Sequence, residues 1–154
     1  MIALDKSGKP PLWMGNDMFD MTFLTFHTNA FAHIDTIERE TSSGTLYVSS
    51  PEQAFLECLL LAPKSYSYMD LYYVMEQLTT LRPEILQKLL ENIGNNRTKR
   101  MFLYMAEKAG HYWLEELDTD KIRLGNGKMQ LACDGVFNKK YNITIPKELD
   151  KYEG

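Results

Sequence analysis

The segment from Ser50 to Leu60, SPEQAFLECLL, constrains the fold more than any other part of the chain. It predicts a helix start, with Ser50 as N-cap, Pro51 at the first helical position and Gln53 closing a capping box. The helix predicted over residues 51–62 is apolar on nearly every side, through Ala54, Phe55, Leu56, Cys58, Leu59, Leu60 and Leu61. Such a helix must lie centrally in a core, so other elements must surround it.

Three more helices are predicted from start and stop signals that follow this segment. The signals are a capping box from Ser67 to Asp70, Pro83 at a third helix start, Gly94 as a left-handed C-cap, and Asn96 capping a fourth helix that runs to Ala109 before Gly110. Helices three and four are joined by a short turn that contains Gly94, as in a helix-turn-helix.

Alternating apolar residues on both sides of the helical block predict strands. Before the helices, strands are predicted over residues 18–26, with Phe19, Met21 and Phe23 on one face, over 33–39, and from Thr45 to Ser50. After the helices, they are predicted in KIRL, MQLAC and YNITI. A turn is expected at Asp134-Gly135, and Pro146 is expected to end the last strand. The order predicts an α+β fold: N-terminal strands, a central block of about four helices, and C-terminal antiparallel strands. The expected division is a lead-in segment over 1–17, one domain over 18–149 and a tail over 150–154.

Composition is that of an ordinary globular domain, with 44% hydrophobic and 25% charged residues among 154. No apolar run is long enough to span a bilayer and no signal peptide is visible, so a cytoplasmic protein without membrane contact is expected. In that compartment, Cys58 and Cys133 are expected to be separate, buried thiols.

Charge is unevenly distributed along the chain. Residues 1–94 carry 6 Lys+Arg against 12 Asp+Glu, whereas residues 95–154 carry 11 against 9. This asymmetry fits a protein with two different faces for partners, and chance segregation of solvated charges explains it equally well.

No residue pattern typical of an enzyme is found. His27, His33 and His111 have no metal-ligand spacing, and GNGK from Gly125 to Lys128 lacks the spacing of a phosphate loop and is predicted to be a turn with Lys128 exposed. The acidic residues that follow Trp113 are interpreted as a solvated loop more readily than as a cation site; they are Glu115, Glu116, Asp118 and Asp120. No catalytic residue, metal or cofactor is therefore expected.

The fourth helix carries the stronger pattern. At 100° per residue a basic stripe of Arg97, Arg100, Tyr104 and Lys108 lies opposite the apolar Met101, Phe102, Met105, Ala106 and Ala109, with Lys99 near the edge. Lys128, Lys139 and Lys140 add charge, and residues 95–140 carry 9 Lys+Arg against 6 Asp+Glu. These cations are the candidate contacts for nucleic acid or a partner protein, the simpler alternative being a solvated outer face.

Several blocks in order resemble the AbiEi family of bacterial antitoxins (the name abbreviates abortive infection), which are transcriptional regulators of type IV toxin–antitoxin systems. The blocks are SSPEQAFLE, LRPEILQKLLE, KRMFLYMAEKAGHYW and LGNGK with KYNITIP, between about Pro10 and Leu149. Gln53 stands where the family pattern has arginine, and Met129 follows GNGK where a basic residue is expected. Both departures remove positive charge.

The resemblance implies a non-enzymatic antitoxin and regulator corresponding to the family's C-terminal domain, without the N-terminal winged helix-turn-helix that binds operator DNA. Its implied partner is an AbiEii-like, nucleotidyltransferase-like toxin, which a type IV antitoxin opposes without needing a stable complex. Substituting Arg97, Arg100 and Lys108 together is expected to abolish antitoxicity or DNA retention and to leave the fold intact.

Two alternatives from other classes stay open. One is a protein-interaction or dimerisation module, a possible homo-oligomer, suggested by the tyrosine-rich stretch Tyr66, Tyr68, Tyr72 and Tyr73, whose rings also suit a packing surface. The other is a divergent nuclease or nucleotidyltransferase with Asp118 or Asp120 at its centre, for which the usual catalytic spacing is absent.

Overall fold

The computed structural model describes residues 2–4, 9, 25–42 and 44–153. In chain order its elements are β1 (Ile2–Leu4), β2 (Thr25–His27), β3 (Thr36–Thr41), β4 (Gly44–Ser49), α1 (Pro51–Leu61), α2 (Tyr68–Gln77), α3 (Pro83–Asn92), α4 (Asn96–Ala109), a 3-10 helix (Tyr112–Glu116), β5 (Met129–Gln130), β6 (Gly135–Asn138), β7 (Ile143–Pro146) and α5 (Lys147–Lys151). The predicted α+β class and element order are confirmed. Phe19, Met21 and Phe23 of the first predicted strand lie outside the described residues.

Helix α4 forms the centre of the core. Every residue from Thr98 to Ala106 is buried, which includes both the apolar side and most of the polar side of the helix. The rings of Phe55 on α1 and Phe102 on α4 meet edge to face, with their centroids 6.0 Å apart. The centroids of the Phe102 and Trp113 rings are 5.9 Å apart. Helix α1 is buried as predicted, and it shares the centre with α4.

Local capping signals determine where the helices begin and end. The Ser50 side chain accepts a hydrogen bond from the Gln53 N–H at 3.3 Å, as a capping box requires. The reciprocal bond is absent, because the Ser50 N–H donates to the Asp35 carbonyl and the Gln53 amide donates to Glu57. Ser67 caps α2 through the Asp70 N–H at 3.0 Å, which confirms the second predicted start.

Two predicted caps around α4 are shifted. Asn95, not Asn96, caps α4 by accepting from the Thr98 N–H. Gly94 is not a left-handed C-cap: α3 ends at Asn92, its C-cap Ile93 is extended, and the Gly94 N–H donates to the Ala30 carbonyl at 2.7 Å. Gly110 does end α4 in the left-handed conformation, at φ 69°.

The described strands form three small sheets. β1 and β2 pair in parallel, β3 and β4 form an antiparallel hairpin, and β7 lies between β6 (antiparallel) and β5 (parallel). KIRL, over 121–124, is not a strand, and only the first two residues of MQLAC pair. The strand from Gly135 was missed because Asp134-Gly135 reads as a turn; a Cβ at Gly135 would lie 2.2 Å from the Ile145 carbonyl, so only glycine allows this close pairing.

Aromatic side chains that follow α4 pack against the core, and two of them bond to backbone carbonyls. Trp113 is fully buried and its Nε1 donates to the Leu78 carbonyl at 2.9 Å, while the His111 ring stacks on Trp113 and bonds to the Met75 carbonyl. After α5, the Tyr152 ring meets Tyr72 of α2 edge to face. None of the helices in the described ranges is long and apolar enough to cross a membrane.

Candidate functional site

The four cations of helix α4 all donate to backbone carbonyls of other segments. Arg97 donates to the carbonyl of Leu60 on α1 at 2.9 Å, and Lys99 donates to the carbonyl of Arg123 at 3.0 Å. Lys108 donates to the carbonyl of Asp150 on α5 at 3.3 Å, with its ammonium 5.8 Å from the centre of the Tyr72 ring. The basic stripe therefore connects α4 to the elements around it.

Arg100 is the most deeply placed of these cations, with 1% of its surface exposed. Its Nε donates to the Leu124 carbonyl at 2.8 Å and its Nη2 to the Gly125 carbonyl at 2.8 Å. Its Nη1 donates to the carbonyls of Gly127 at 2.7 Å and Asn142 at 3.1 Å. The planar guanidinium suits such a set of converging acceptors, and the four bonds fix the turn at 124–127 against the start of β7.

This turn requires glycine at two positions. Gly125 and Gly127 have φ of +70° and +88°, in the left-handed region that other L-residues rarely adopt. A Cβ at Gly125 would also lie 2.3 Å from the Nδ2 atom of Asn96. The prediction that GNGK is a turn with an exposed Lys128 is confirmed.

The stripe predicted from the helical wheel is not a free outer surface. Arg100 and Tyr104 are buried, Arg97 and Lys108 are half-buried, and Lys99 is buried with a pKa lowered by burial and by the nearby Arg123 charge. The helical wheel groups these residues correctly on one side of α4. Other segments cover that side, however, and their backbone carbonyls accept hydrogen bonds from the cations. A partner-contact role for these four cations stays a prediction, and their occupied donors argue for a structural role instead.

The cations of the C-terminal hairpin lie at the surface. Lys128 is exposed and its ammonium lies 5.0 Å from the centre of the half-exposed Phe137 ring on β6. Lys139 is exposed in the turn between β6 and β7. The neighbouring Lys140 pairs with Glu107 of α4 and lies 5.3 Å from the Tyr141 ring centre. We call Lys128, Phe137, Lys139 and Lys140 the hairpin surface.

The pKa values of two neighbours of Lys140, Glu107 and Tyr141, are shifted in opposite directions. Burial raises the pKa of Glu107, but the hydrogen bonds from Lys140 and Tyr141 outweigh it, so the net shift is downward. Burial and the hydrogen bond to Glu107 both raise the pKa of Tyr141. Lys140 is therefore partly neutralised by an ionised carboxylate, and Lys128 and Lys139 carry the less compensated charge of the hairpin surface.

The residues considered for enzymatic chemistry are dispersed or engaged elsewhere. His33 is exposed, His111 is held against Trp113, and the His27 side chain lies outside the described part. All four residues of the acidic cluster are exposed, and Asp118 pairs with Lys121 at 2.8 Å. Among the described residues, no group of three or more His, Cys, Asp or Glu side chains could hold a metal ion.

The cysteine prediction was half wrong. Both thiols are free and separate, and Cys58 is partly buried beside α2. Cys133 is exposed rather than buried, because MQLAC leaves the sheet after Gln130 and the chain turns at 133–134 before β6.

The tyrosine-rich helix contributes mainly to the core. Tyr68 and Tyr72 are buried and Tyr66 is partly buried, whereas Tyr73 is 46% exposed. The α1–α2 groove, a mainly apolar cavity of about 340 Å³, lies beside them and is lined by residues that include Phe55, Cys58, Leu71, Val74 and Leu78.

An ion-pair cluster in which Glu52 is buried and Arg82 is partly exposed joins the N-terminal hairpin to the helices. Glu52, 1% exposed at the start of α1, accepts from the Arg82 N–H at 2.8 Å and from its Nε at 3.0 Å. The Arg82 Nη2 lies 2.9 Å from both Glu52 and Asp35, which precedes β3. No local pattern indicates this cluster, since its members are separated by 30 and 47 residues in the chain.

These elements define an α+β domain in which a central basic helix organises the surrounding turns and leaves a small cationic hairpin surface exposed. The chain belongs to the AbiEi antitoxin family: the family described as "Transcriptional regulator, AbiEi antitoxin, Type IV TA system" matches residues 2–146. The resemblance noted in the sequence is thereby confirmed. No curated protein and no solved structure shows significant similarity to the chain.

Proposed function

We propose that this chain is a non-enzymatic antitoxin and regulator that opposes a nucleotidyltransferase-like, AbiEii-type toxin. The observation that carries the proposal is the family match over residues 2–146. His111 and the α4 cations are engaged in internal hydrogen bonds, which favours a structural role for these groups over a catalytic one.

The hairpin surface is the proposed contact region. Lys128, just before β5, is exposed with its ammonium 5.0 Å from the centre of the half-exposed Phe137 ring, and Lys139 is exposed in the turn between β6 and β7. Exposed lysines next to an aromatic ring offer charge and apolar area to an acidic protein surface or a phosphate backbone. We no longer include Arg100 and Lys99 among the contacts, since their removal would disturb the turn that presents Lys128.

The test is growth rescue from the neighbouring toxin gene by this chain and two variants. The double substitution Lys128→Glu with Lys139→Glu should abolish rescue at unchanged protein level. The matched control, Lys64→Glu with Lys88→Glu, alters two exposed lysines of the helical block by the same total charge and should rescue normally. Retention on operator DNA, measured at two salt concentrations, separates a phosphate contact from a protein contact.

Two results would contradict the proposal. Normal rescue by the Lys128→Glu, Lys139→Glu variant excludes the hairpin surface as the contact region. Failure of the unaltered, folded chain to rescue from its toxin excludes the proposed antitoxin activity for these 154 residues.

An interaction module without antitoxin activity is the second candidate. Its supporting observation is the α1–α2 groove together with the exposed Tyr73 and Val74. Tyr68 and Tyr72 no longer support it, because their rings are packed inside the domain. A Val74→Glu variant that rescues as well as the unaltered chain separates this surface from antitoxicity.

A further inference from the structure

The β3–β4 hairpin is mostly exposed: Ile37 and Ser49 are its half-buried residues and the other ten are exposed. One face carries the apolar Ile37, Leu46 and Val48 with Arg39 opposite Leu46, and Leu46 and Val48 are 56% and 39% exposed. Tyr47, on the other face, is 68% exposed. A two-stranded hairpin with an uncovered apolar face is marginally stable in water, and additional strands are the usual remedy.

The two outer edges of this hairpin differ in charge. The β3 edge reads TIERET, with Glu38, Arg39 and Glu40 in succession, which is the pattern by which proteins protect an edge strand from pairing. The β4 edge reads GTLYVS and has no charge at all. Among the described residues β4 pairs with β3 alone, so its second edge has no strand beside it.

We propose that β4 pairs with β4 of a second copy of this chain, antiparallel and centred on Tyr47, to form a four-stranded sheet across a two-fold axis. In this register Tyr47 lies opposite Tyr47, Leu46 opposite Val48 and Thr45 opposite Ser49. Every pair is uncharged and joins residues of like character: two aromatic rings, two aliphatic side chains or two hydroxyls. The apolar faces of the two hairpins then become one continuous surface.

Geometry and charge favour this arrangement over the other symmetric pairings. A two-fold axis perpendicular to the sheet keeps each side chain on its own face, so only residues of the same face can be opposite each other. The two registers that pair most of β3 place Glu38 opposite Glu38 or Glu40, which is repulsive. A β4 register centred on Leu46 would place Gly44, at φ +128°, opposite Val48. Val48 would then lose its pairing with Leu46, and glycine offers no side chain in exchange.

The test measures the mass of the full chain in solution by sedimentation equilibrium. The unaltered chain is compared with variants that carry a charge at Tyr47, the residue at the proposed two-fold axis. The unaltered chain should change from monomer to dimer as concentration rises. Tyr47→Lys and Tyr47→Glu should each raise the dimer dissociation constant about tenfold or more, since each places like charges directly opposite. An equimolar mixture of the two variants should recover the dimer, because Lys then lies opposite Glu.

Thr36→Lys is the matched control, because it adds the same charge at an exposed position of β3, on the protected edge. It should dimerise as the unaltered chain does, and all variants should show the same circular dichroism and thermal midpoint. A chain that stays monomeric at all concentrations, variants that still dimerise alone, or a mixture that does not recover the dimer would each overturn the proposal. This outcome is independent of growth rescue.

Discussion

Arg100 is a cation whose donors are all directed into the protein. Four backbone carbonyls surround the guanidinium, from Leu124, Gly125, Gly127 and Asn142, and the Asn142 carbonyl also accepts from the Met129 N–H. Buried carbonyls without partners are costly, so the residue determines both the shape of the turn and its position on α4. The helical wheel placed Arg100 on a basic stripe and so suggested a surface role. A helical wheel shows on which side of the helix a residue lies, but it does not show which other segments cover that side.

Replacing Arg100 should destabilise the domain strongly. Arg100→Met should lower the free energy of unfolding by about 3 kcal/mol or more, since it removes the four charged hydrogen bonds to the carbonyls around the guanidinium. Arg100→Lys should recover only part of this, because an ammonium cannot reproduce the planar fork. Urea denaturation measures both.

Lys128→Met is the control for that series, since it removes an exposed cation from the same turn region and should change stability by less than about 0.5 kcal/mol. Equal losses for Arg100→Met and Lys128→Met would refute the structural role of Arg100. The same reasoning revises the triple substitution of Arg97, Arg100 and Lys108, which we now expect to disturb the fold.

At the scale of elements, the turn at 124–127 and helix α4 form one unit. The turn was predictable from its two glycines, whereas its docking on α4 depends on Arg100 and on Asn96 beside Gly125. Helix starts at Ser50 and Ser67 were predictable because caps act within three or four residues. The strand from Gly135 was not, because its pairing depends on β7, which follows later in the chain.

The two glycines of the turn should tolerate alanine to different degrees. Gly127→Ala should cost about 1 kcal/mol, from left-handed backbone strain alone, since no atom lies within 4 Å of its Cβ position. Gly125→Ala should cost more, because its Cβ also displaces the Asn96 side chain. Thermal or urea denaturation of both variants gives the comparison.

Repeating both substitutions in an Asn96→Ala background isolates the contact. There the excess cost of Gly125→Ala should disappear, while the cost of Gly127→Ala should be unchanged. An excess that persists without the Asn96 amide would mean that strain in the backbone, rather than the steric contact, distinguishes the two positions.

On the scale of the whole molecule, the cluster of Asp35, Glu52 and Arg82 connects the exposed N-terminal hairpin to the helical core. Burial raises the pKa of Glu52, but hydrogen bonds and charge attraction from Arg82 outweigh it and lower the pKa from 4.5 to about 2. A carboxyl group with a lowered folded-state pKa contributes stability above its unfolded pKa. That contribution is lost as pH falls through the folded pKa.

Acid should therefore weaken the domain through Glu52. The unaltered chain should lose stability progressively between pH 4.5 and about 2. Glu52→Gln should be less stable at pH 7 by about 2 kcal/mol, from the lost charged hydrogen bonds, and should show a shallower fall over the same range. Urea denaturation across this pH series measures both, and parallel pH profiles for the two proteins would contradict the assignment.

The sequence by itself determined the α+β class, the central α1 helix, the main helix starts and the glycine turn. These features depend on residues close together in the chain, on hydrophobic period, side-chain caps and backbone freedom. The family could be identified for a similar reason, since its blocks are read in order along the chain. Tertiary structure alone decided which cations are exposed, because the loops that cover Arg100 and Lys99 lie at least 24 residues away. It also formed the Glu52–Arg82–Asp35 cluster, since hydrogen bonds and burial between distant segments exist only once those segments meet.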